Sequence, residues 1–441
     1  MQTRRDHVQS HRFAMGRLAS ALVGGDPGQG DSPTRRSALG TILGAGVAVL
    51  LCGGAAGYGL LAPAPGTAWR KNGTVLVEKE TGNRYVYLDG ELRPARNRAS
   101  ALLLAGGPAA PEAVPAKALA GTPRGVPIGI PDAPDTVPAA SGLLTGTWAR
   151  CLRTGAPGTP GAAGGASTAG GGGQTLVFGP AADVLPPLPA DRAALATGPD
   201  GAHYLLLHDT KYPVPADSAL VALGLDDRPA LAAPAEWLAA VPTGTPLAPG
   251  VPPGFGNPAG TVAGQATVTG QLFRTGAGTD AHHYLQRADG LAPVGATEYA
   301  LLAAVPGTPA PRTVTQADVA AAPVSAERGL LTRLPEVIGL RAPSAGELCL
   351  RTGPDDDKRL VLAPAPDRPV VMPPGTGALA TAPGGGQPYL LTEQGARYPI
   401  ADGDAARALG LGDSHRPIVL PADVLALLPE GPVLSRAAAR R

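Results

Sequence analysis

Two of the three cysteines in this 441-residue sequence stand in the same five-residue phrase, CLRTG, at residues 151–155 and 349–353. Cysteine serves as a disulfide partner, a metal ligand or a nucleophile, and its sequence context distinguishes these roles. No CxxC motif occurs, so the common zinc and redox patterns are not indicated. Either chance duplicated the phrase, or the chain contains an internal repeat in which Cys151 and Cys349 are equivalent.

Histidine and aspartate groups are the other candidates for metal chemistry. The pair at residues 282–283, and His203 with His208, lie in segments with a strand pattern, where neighbouring side chains point to opposite faces. The acidic run at residues 355–357 fills a predicted hairpin turn and lacks the remaining ligands of a calcium loop. We therefore predict no metal site.

Motifs for phosphate binding and nucleophilic catalysis do not occur in the sequence. It has no Gly-Lys dipeptide, hence no Walker A loop, and no GxSxG or HExxH motif. Its three tryptophans are scattered, which gives no stacking platform for sugars or bases. The formal charge of +1 gives no indication of a nucleic-acid partner. We expect no catalytic residue and no cofactor, and favour a structural or assembly role.

Charge and hydropathy divide the chain into an inner, a membrane and an outer part. Residues 1–36 hold six arginines against three acids, and the next 26 residues, 37–62, carry no charge. As a helix they would extend roughly 39 Å, enough for the ~30 Å apolar core of a bilayer. We predict a single transmembrane helix, with a cytoplasmic N-terminus and an extracytoplasmic remainder. A cleaved twin-arginine export signal is the alternative, but a secretory apolar region is usually shorter.

Glycines spaced four apart line the predicted transmembrane helix, at Gly40 with Gly44 and Gly53 with Gly57. Small residues at this spacing let a second helix approach closely, although a run so rich in glycine could acquire the spacing by chance. Cys52 has no evident partner and is expected to pack as a small apolar residue.

Upstream of the predicted membrane helix, residues 8–22 place apolar side chains on one face of a basic helix. Such a helix can lie on the inner membrane surface or bind a cytoplasmic partner. A merely solvated segment is the third possibility.

A strand–turn–helix pattern recurs four times in the predicted outer part. Each copy begins with a tyrosine on a short apolar strand, and a proline follows nine or ten residues later. The proline is expected to end strand pairing, and an Ala/Leu-rich helix comes next. We predict four small α/β repeats with a tyrosine in each core. These tyrosines are Tyr85, Tyr204, Tyr284 and Tyr389.

The second and fourth copies belong to a larger duplication. Both halves run through CLRTG, a second strand, ALAT, the tyrosine strand, LGL, RP and a final Pro-Ala-acid helix. Equivalent residues can meet at a pseudo-two-fold axis, and oxidising conditions outside the membrane favour a disulfide between Cys151 and Cys349. Two separate buried thiols are the alternative. A Gly-rich insertion at residues 156–173 interrupts the first half and is expected to be disordered.

These features together resemble the EccB subunits of actinobacterial type VII (ESX) secretion systems. The resemblance covers residues 3–27, 72–104 and 125–138, the single apolar span, the spaced cysteines and the four tyrosine segments. It implies a membrane core subunit assembled with an EccC-type ATPase, EccD and EccE. ATP hydrolysis has been attributed to the family, but no motif here supports it. A membrane-anchored protein that binds cell-wall polymer is the alternative function.

The resemblance also implies an α+β fold with a cytoplasmic helix, one transmembrane helix, and an elongated outer region. In that region four α/β repeats surround a β-rich central domain with pseudo-two-fold duplication. The expected segments are 1–36 (cytoplasmic helix and linker), 37–62 (transmembrane helix), 70–124 (repeat 1), 125–190 (central domain, first part), 191–249 (repeat 2), 260–325 (repeat 3), 326–374 (central domain, second part) and 375–434 (repeat 4).

Overall fold

A computed structural model describes residues 4–24, 33–61, 67–107, 110–153, 173–344, 346–365, 368–412 and 416–441. The chain divides into two compact units, one of residues 1–69 and 114–120 and one of residues 70–113 and 121–441. The Gly-rich insertion predicted to be disordered lies outside the described residues except for Gly173.

The fold mixes short helices with a larger number of short strands. The helices are α1 Arg4–Gly24, α2 Pro33–Leu61, α3 Arg98–Ala105, α4 Ala116–Leu119, α5 Pro180–Asp183, α6 Asp217–Ala222, α7 Ala235–Ala240, α8 Ala296–Ala303, α9 Gln316–Ala321, α10 Gly403–Ala408, α11 Ala422–Ala426 and α12 Arg436–Ala439. The strands are β1 Thr74–Glu78, β2 Arg84–Leu88, β3 Glu91–Pro94, β4 Glu112–Val114, β5 Leu143–Leu144, β6 Trp148–Leu152, β7 Gln174–Phe178, β8 Ala194–Thr197, β9 His203–Leu207, β10 Thr210–Val214, β11 Leu231–Ala232, β12 Pro258–Val262, β13 Gln265–Val268, β14 Leu272–Thr275, β15 His282–Arg287, β16 Gly290–Val294, β17 Arg312–Thr313, β18 Glu347–Thr352, β19 Lys358–Ala363, β20 Val370–Val371, β21 Gly377–Thr381, β22 Tyr389–Thr392, β23 Arg397–Pro399 and β24 Ile418–Val419.

The smaller unit contains the two long N-terminal helices, α1 and α2. Apolar side chains of α1 are exposed, among them Val8, Met15 and Leu22. No helix in the described part of the chain has both the length and the apolar run that a membrane crossing requires. The predicted span, 37–62, lies partly outside the residues whose side chains are described.

Four small sheets in the larger unit share one strand pattern. Three of them have the orders β10-β9-β8-β11, β16-β15-β14-β17 and β23-β22-β21-β24, and strands β3, β2 and β1 follow the same antiparallel path. In each sheet a helix follows the strand that comes third in the chain. Strand β3 is followed by α3, β10 by α6, β16 by α8 and β23 by α10. We call these the first to fourth small sheets, in chain order.

A five-stranded sheet, with the order β19-β18-β6-β7-β20, joins distant parts of the chain. Strands β6 and β18 are antiparallel, and Cys151 lies opposite Cys349 in their register. One face of this central sheet packs on the second small sheet through Leu152 and Trp237. The same face packs on the fourth small sheet through Trp148 and Ile418. The central sheet therefore positions both sheets that flank it.

The small sheets also share apolar cores in pairs. Leu103 of α3 and Leu409, which follows α10, belong to one core of the first and fourth sheets. Leu220 of α6 and Leu301 of α8 belong to a core of the second and third sheets.

The segment at residues 125–137, which the sequence analysis grouped with the central domain, packs against the first small sheet. Ile128 and Ile130 lie in the same core as α3. Asn97 accepts a hydrogen bond from the Ser100 amide and donates one to the Ile130 carbonyl. The Ile130 amide in turn donates to the Ser100 hydroxyl. Asn97, the N-cap of α3, thus pairs a free amide of its own helix and also fixes the segment at residues 125–137 through Ile130.

Candidate functional site

The disulfide lies in the middle of the central sheet. Cys151 on β6 and Cys349 on β18 are bonded at an S–S distance of 2.03 Å and a Cα–Cα distance of 3.8 Å, and they are 198 positions apart in the sequence. Both residues are fully buried. The bond therefore ties together the two segments that the sequence analysis identified as copies. The third cysteine, Cys52 on α2, is free and exposed.

A buried arginine beside the disulfide joins three elements. The Nη1 of Arg150 donates to Oδ2 of Asp423 at 2.7 Å, and its Nη2 donates to the Glu236 carbonyl at 2.6 Å. The Arg150 carbonyl accepts a hydrogen bond from the Trp237 indole at 3.1 Å. Burial lowers the pKa of Arg150, and the Asp423 carboxylate opposes that shift. The ion pair with Asp423 offsets the free-energy cost of burying the Arg150 charge.

Sequence reasoning did not identify Arg150. Glu236 and Asp423 occupy the same place in the duplicated Pro-Ala-acid helices α7 and α11, so this arginine bonds to both copies. Its counterpart before the second cysteine is Leu348. A charge at one copy of an otherwise apolar strand position was the signal available in the sequence.

Two clefts border the central sheet. The large cleft, about 920 Å³, lies between residues 145–150, the turn at 353–358 and the segment at 416–421. The small cleft, about 370 Å³, lies between residues 342–348 and the segment at 228–231. Because an Arg-Pro phrase and the strand after it, β11 or β24, line each cleft, the two clefts are related by the duplication.

A second buried acid–base group, Glu347, lies on the disulfide strand β18, two residues before Cys349. Only 3 % of this residue is exposed, and its Oε2 has no hydrogen-bond partner among the described residues. Burial raises the pKa of the Glu347 carboxyl, and the charge of Arg153 opposes the shift.

The histidine and aspartate groups do not converge. Among the described residues, no three His, Cys, Asp or Glu side chains are placed to hold a metal ion. His203 contacts Thr197 at 3.1 Å, and the His283 ring lies 4.3 Å from that of Tyr299. Within the acidic turn, Asp356 lies 3.4 Å from the Lys358 ammonium. Each group has a local contact within its own sheet or turn.

The four repeat tyrosines occupy the same position in their sheets. Each pairs across the hairpin with the proline that follows it: Tyr85 with Pro94, Tyr204 with Pro213, Tyr284 with Pro293 and Tyr389 with Pro399. Tyr85 is buried, and the other three are half-buried. We expected each proline to end strand pairing, but each proline is itself paired in the third strand of its hairpin. They lie within or at the end of it, because that strand is at the sheet edge, where a missing N–H is tolerated.

Three of the four glycines predicted to pack in a membrane have open space around the Cβ position in the described part of the chain. A Cβ added at Gly40, Gly44 or Gly53 would meet no atom within 4 Å. The side-chain environment at position 57 lies outside the described residues. Packing of these glycines against another helix stays a prediction.

Comparison with known proteins decides the family. The family described as "Type VII secretion system ESX-1, transport TM domain B", or EccB, matches residues 1–441. The chain belongs to the EccB family. It is 30% identical to the ESX-1 secretion system ATPase EccB1 of Mycolicibacterium smegmatis strain MKD8 over 472 residues, which cover 99% of this chain and 94% of that protein. It is 28% identical to the ESX-3 secretion system ATPase EccB3 of M. smegmatis strain mc(2)155, over 98% of this chain and 89% of the relative.

Solved structures of the same family share the fold. A chain in the intact ESX-5 inner membrane complex aligns with a TM-score of 0.55 at 22% identity, covering 100% of this chain and 95% of that one. A chain of the EccB3 dimer from the ESX-3 core complex aligns with a TM-score of 0.51 at 24% identity, covering 83% of this chain and 100% of that one. The β-rich α/β architecture described above is therefore that of EccB structures.

Proposed function

We propose that this EccB-family chain is a structural subunit of a type VII secretion membrane complex and scaffolds an export channel on the outer side of the inner membrane. The observation that carries the proposal is the family match over all 441 residues. The solved chains of similar fold are parts of ESX membrane complexes. The partners we propose are an EccC-type ATPase, EccD and EccE.

The proposed arrangement places α1 in the cytoplasm, residues 37–62 in the bilayer, and residues from 70 onward outside. The uncharged run and the arginines before it support this orientation. We further propose that the four small sheets are repeats around the central sheet, with the boundaries predicted from sequence and residues 125–137 reassigned to the first repeat.

A scaffold subunit must keep its binding surfaces at fixed positions. The packing of two small sheets on the central sheet supports this role. The disulfide, the Arg150 ion pair and the apolar cores fix the second and fourth small sheets on one central sheet. Such a unit would present its outer surfaces at fixed positions to neighbouring subunits.

We propose that this chain does not hydrolyse ATP, although its curated relatives are named ATPases. Support comes from the sequence, which lacks a Walker A loop. Purified full-length chain should release phosphate from ATP no faster than a mock preparation from cells lacking it. Activity that co-elutes with the chain through two chromatographic steps would overturn this part of the proposal.

The assembly role is tested in native membranes. We expect the tagged chain, extracted in mild detergent, to elute in a very large complex. Mass spectrometry should identify an FtsK-like ATPase and a many-spanning membrane protein in that complex. A lone monomer or small oligomer in several detergents would contradict the scaffold role and favour the cell-wall-binding alternative.

A further inference from the structure

The large and small clefts share two walls and differ in a third wall and in volume. One wall in each is an Arg-Pro segment with the strand that follows it, residues 416–419 or 228–231, and the opposite wall belongs to the segment that leads into the cysteine strand. The connection before Arg-Pro is longer in the large cleft, where LGLGDSHRP replaces LGLDDRP. The clefts therefore differ in this connection and in the third wall, which is the turn at 353–358 in the large cleft and residues 193–195 in the small one.

An arginine in the wall of the small cleft is already bonded within the chain. Arg228 donates from Nη2 to the Leu340 carbonyl, and burial lowers the pKa of its guanidinium. The equivalent Arg416 is exposed, and within the described part of the chain it makes no hydrogen bond or ion pair. Its guanidinium is therefore available to an acceptor from another molecule.

The backbone of the large cleft suits an extended chain. Strand β24, which lines it, pairs with β21 on one side and ends the order β23-β22-β21-β24. An exposed strand edge offers main-chain donors and acceptors to a further strand. Prolines at 354, 383, 417 and 421 and the face of Trp148 supply apolar surface around that edge. A volume of about 920 Å³ falls within the range of binding clefts.

The charges around the cleft indicate which side chain would bind. Arg150, at its floor, is already neutralised by Asp423 at 2.7 Å. Lys358 lies 3.4 Å from Asp356. Arg416 is then the cation left for a carboxylate, and arginine is suited to binding carboxylates through two hydrogen bonds.

We propose that the large cleft binds an extended segment of another polypeptide of the secretion complex, with an Asp or Glu side chain paired to Arg416. This inference rests on the proposed function, because it takes the partner from the same assembly. The small cleft serves as an internal control, because its Arg228 already donates to the Leu340 carbonyl.

The test places photoreactive benzoylphenylalanine at Val419 in the full-length chain, inside the complex in native membranes, with the same probe at Leu231, which lines the small cleft, as the control. After irradiation, the cross-linked peptides are identified by mass spectrometry. We expect Val419 to cross-link to a segment of a different subunit that contains Asp or Glu, and Leu231 to give no such product. Arg416→Glu should lower the yield up to about fivefold, which is the effect of losing one exposed ion pair.

Several results would overturn the inference. They are no adduct at Val419, adducts only with lipid, glycan or a second copy of this chain, equal adducts at both positions, or a yield unaffected by Arg416→Glu. Co-purification of the complex is recorded in the same samples. If the complex is present and the adduct absent, the cleft inference fails alone. If no complex is recovered, the proposed function fails with it.

Discussion

The two strands that share the disulfide are copies with different neighbours. On β6 the residue before the cysteine is Arg150, which bonds to α7 and α11. On β18 the same place is held by Leu348, which lies in the apolar core with Leu206 and Trp237. The cysteines are equivalent, but the charge is present in one copy only. A duplication thus supplies the shared frame, and the places where its copies differ indicate where each half has specialised.

Removing the disulfide should have the largest effect on stability, because the bond joins the equivalent strands of the two halves. Loop closure predicts that Cys151→Ser with Cys349→Ser lowers the free energy of unfolding by up to about 5 kcal/mol. Denaturant unfolding of the full-length chain in detergent, followed by tryptophan fluorescence, measures this change. Labelling of both cysteines in the unreduced, denatured wild-type chain would contradict the premise.

Replacing the buried arginine should have the next largest effect, because Arg150 bonds to a helix of each half. Arg150→Leu leaves the Asp423 carboxylate without its partner, and because that side chain is 32% exposed we expect a cost of about 2–3 kcal/mol. Adding Asp423→Leu should recover most of the loss. The matched change in the other half, Leu348→Met, keeps its volume and should cost less than about 1.5 kcal/mol. Equal losses at both positions would show that the ion pair has no special role.

Two glycines test the places where the halves agree. A Cβ at Gly244 would meet the ring of Tyr212, and one at Gly431 would meet that of Tyr398. Gly244→Ala and Gly431→Ala should each cost about 1–3 kcal/mol through overpacking. Combining Gly431→Ala with Tyr398→Leu should restore part of the stability. A cost at one glycine but not at its counterpart would break the equivalence of the two hairpins.

The smallest effect is expected at Glu347, whose counterpart is Ala149. Because burial raises its pKa above the ordinary 4.5, the folded chain holds this proton more tightly than the unfolded chain. Stability should therefore fall as pH rises through that raised pKa and stay lower above it. Glu347→Gln should remove this slope and stabilise the chain at neutral pH by about 1 kcal/mol. Thermal unfolding measured from pH 4 to 8 tests both statements, and a destabilised variant would contradict them.

The sequence predicted the structure best in the segments that repeat. Spacing of the phrase CLRTG predicted that Cys151 and Cys349 are partners, and the tyrosine–proline spacing located four hairpins. It did not reveal where the prolines sit, because only the sheet order shows that their strand is an edge. Nor did it place 125–137 with the first small sheet, since that contact depends on Asn97 and Ser100, which are distant in sequence from Ile130.

The functional surface was harder to predict for a physical reason. Arg150 and the large cleft arise where three elements from different parts of the chain meet, and no local pattern encodes such a meeting. The extra residues before Arg416 were visible as a length difference between the copies. That Arg416 is exposed required the structure.

The most direct test of the scaffold role is the size of the membrane complex with and without this chain. Membranes from cells lacking the chain, and from the same cells supplied with it, would be compared by native gel electrophoresis and blotting for the ATPase subunit. The scaffold role predicts that the large complex disappears without the chain and returns with it. A complex of full size that assembles without the chain would contradict the account.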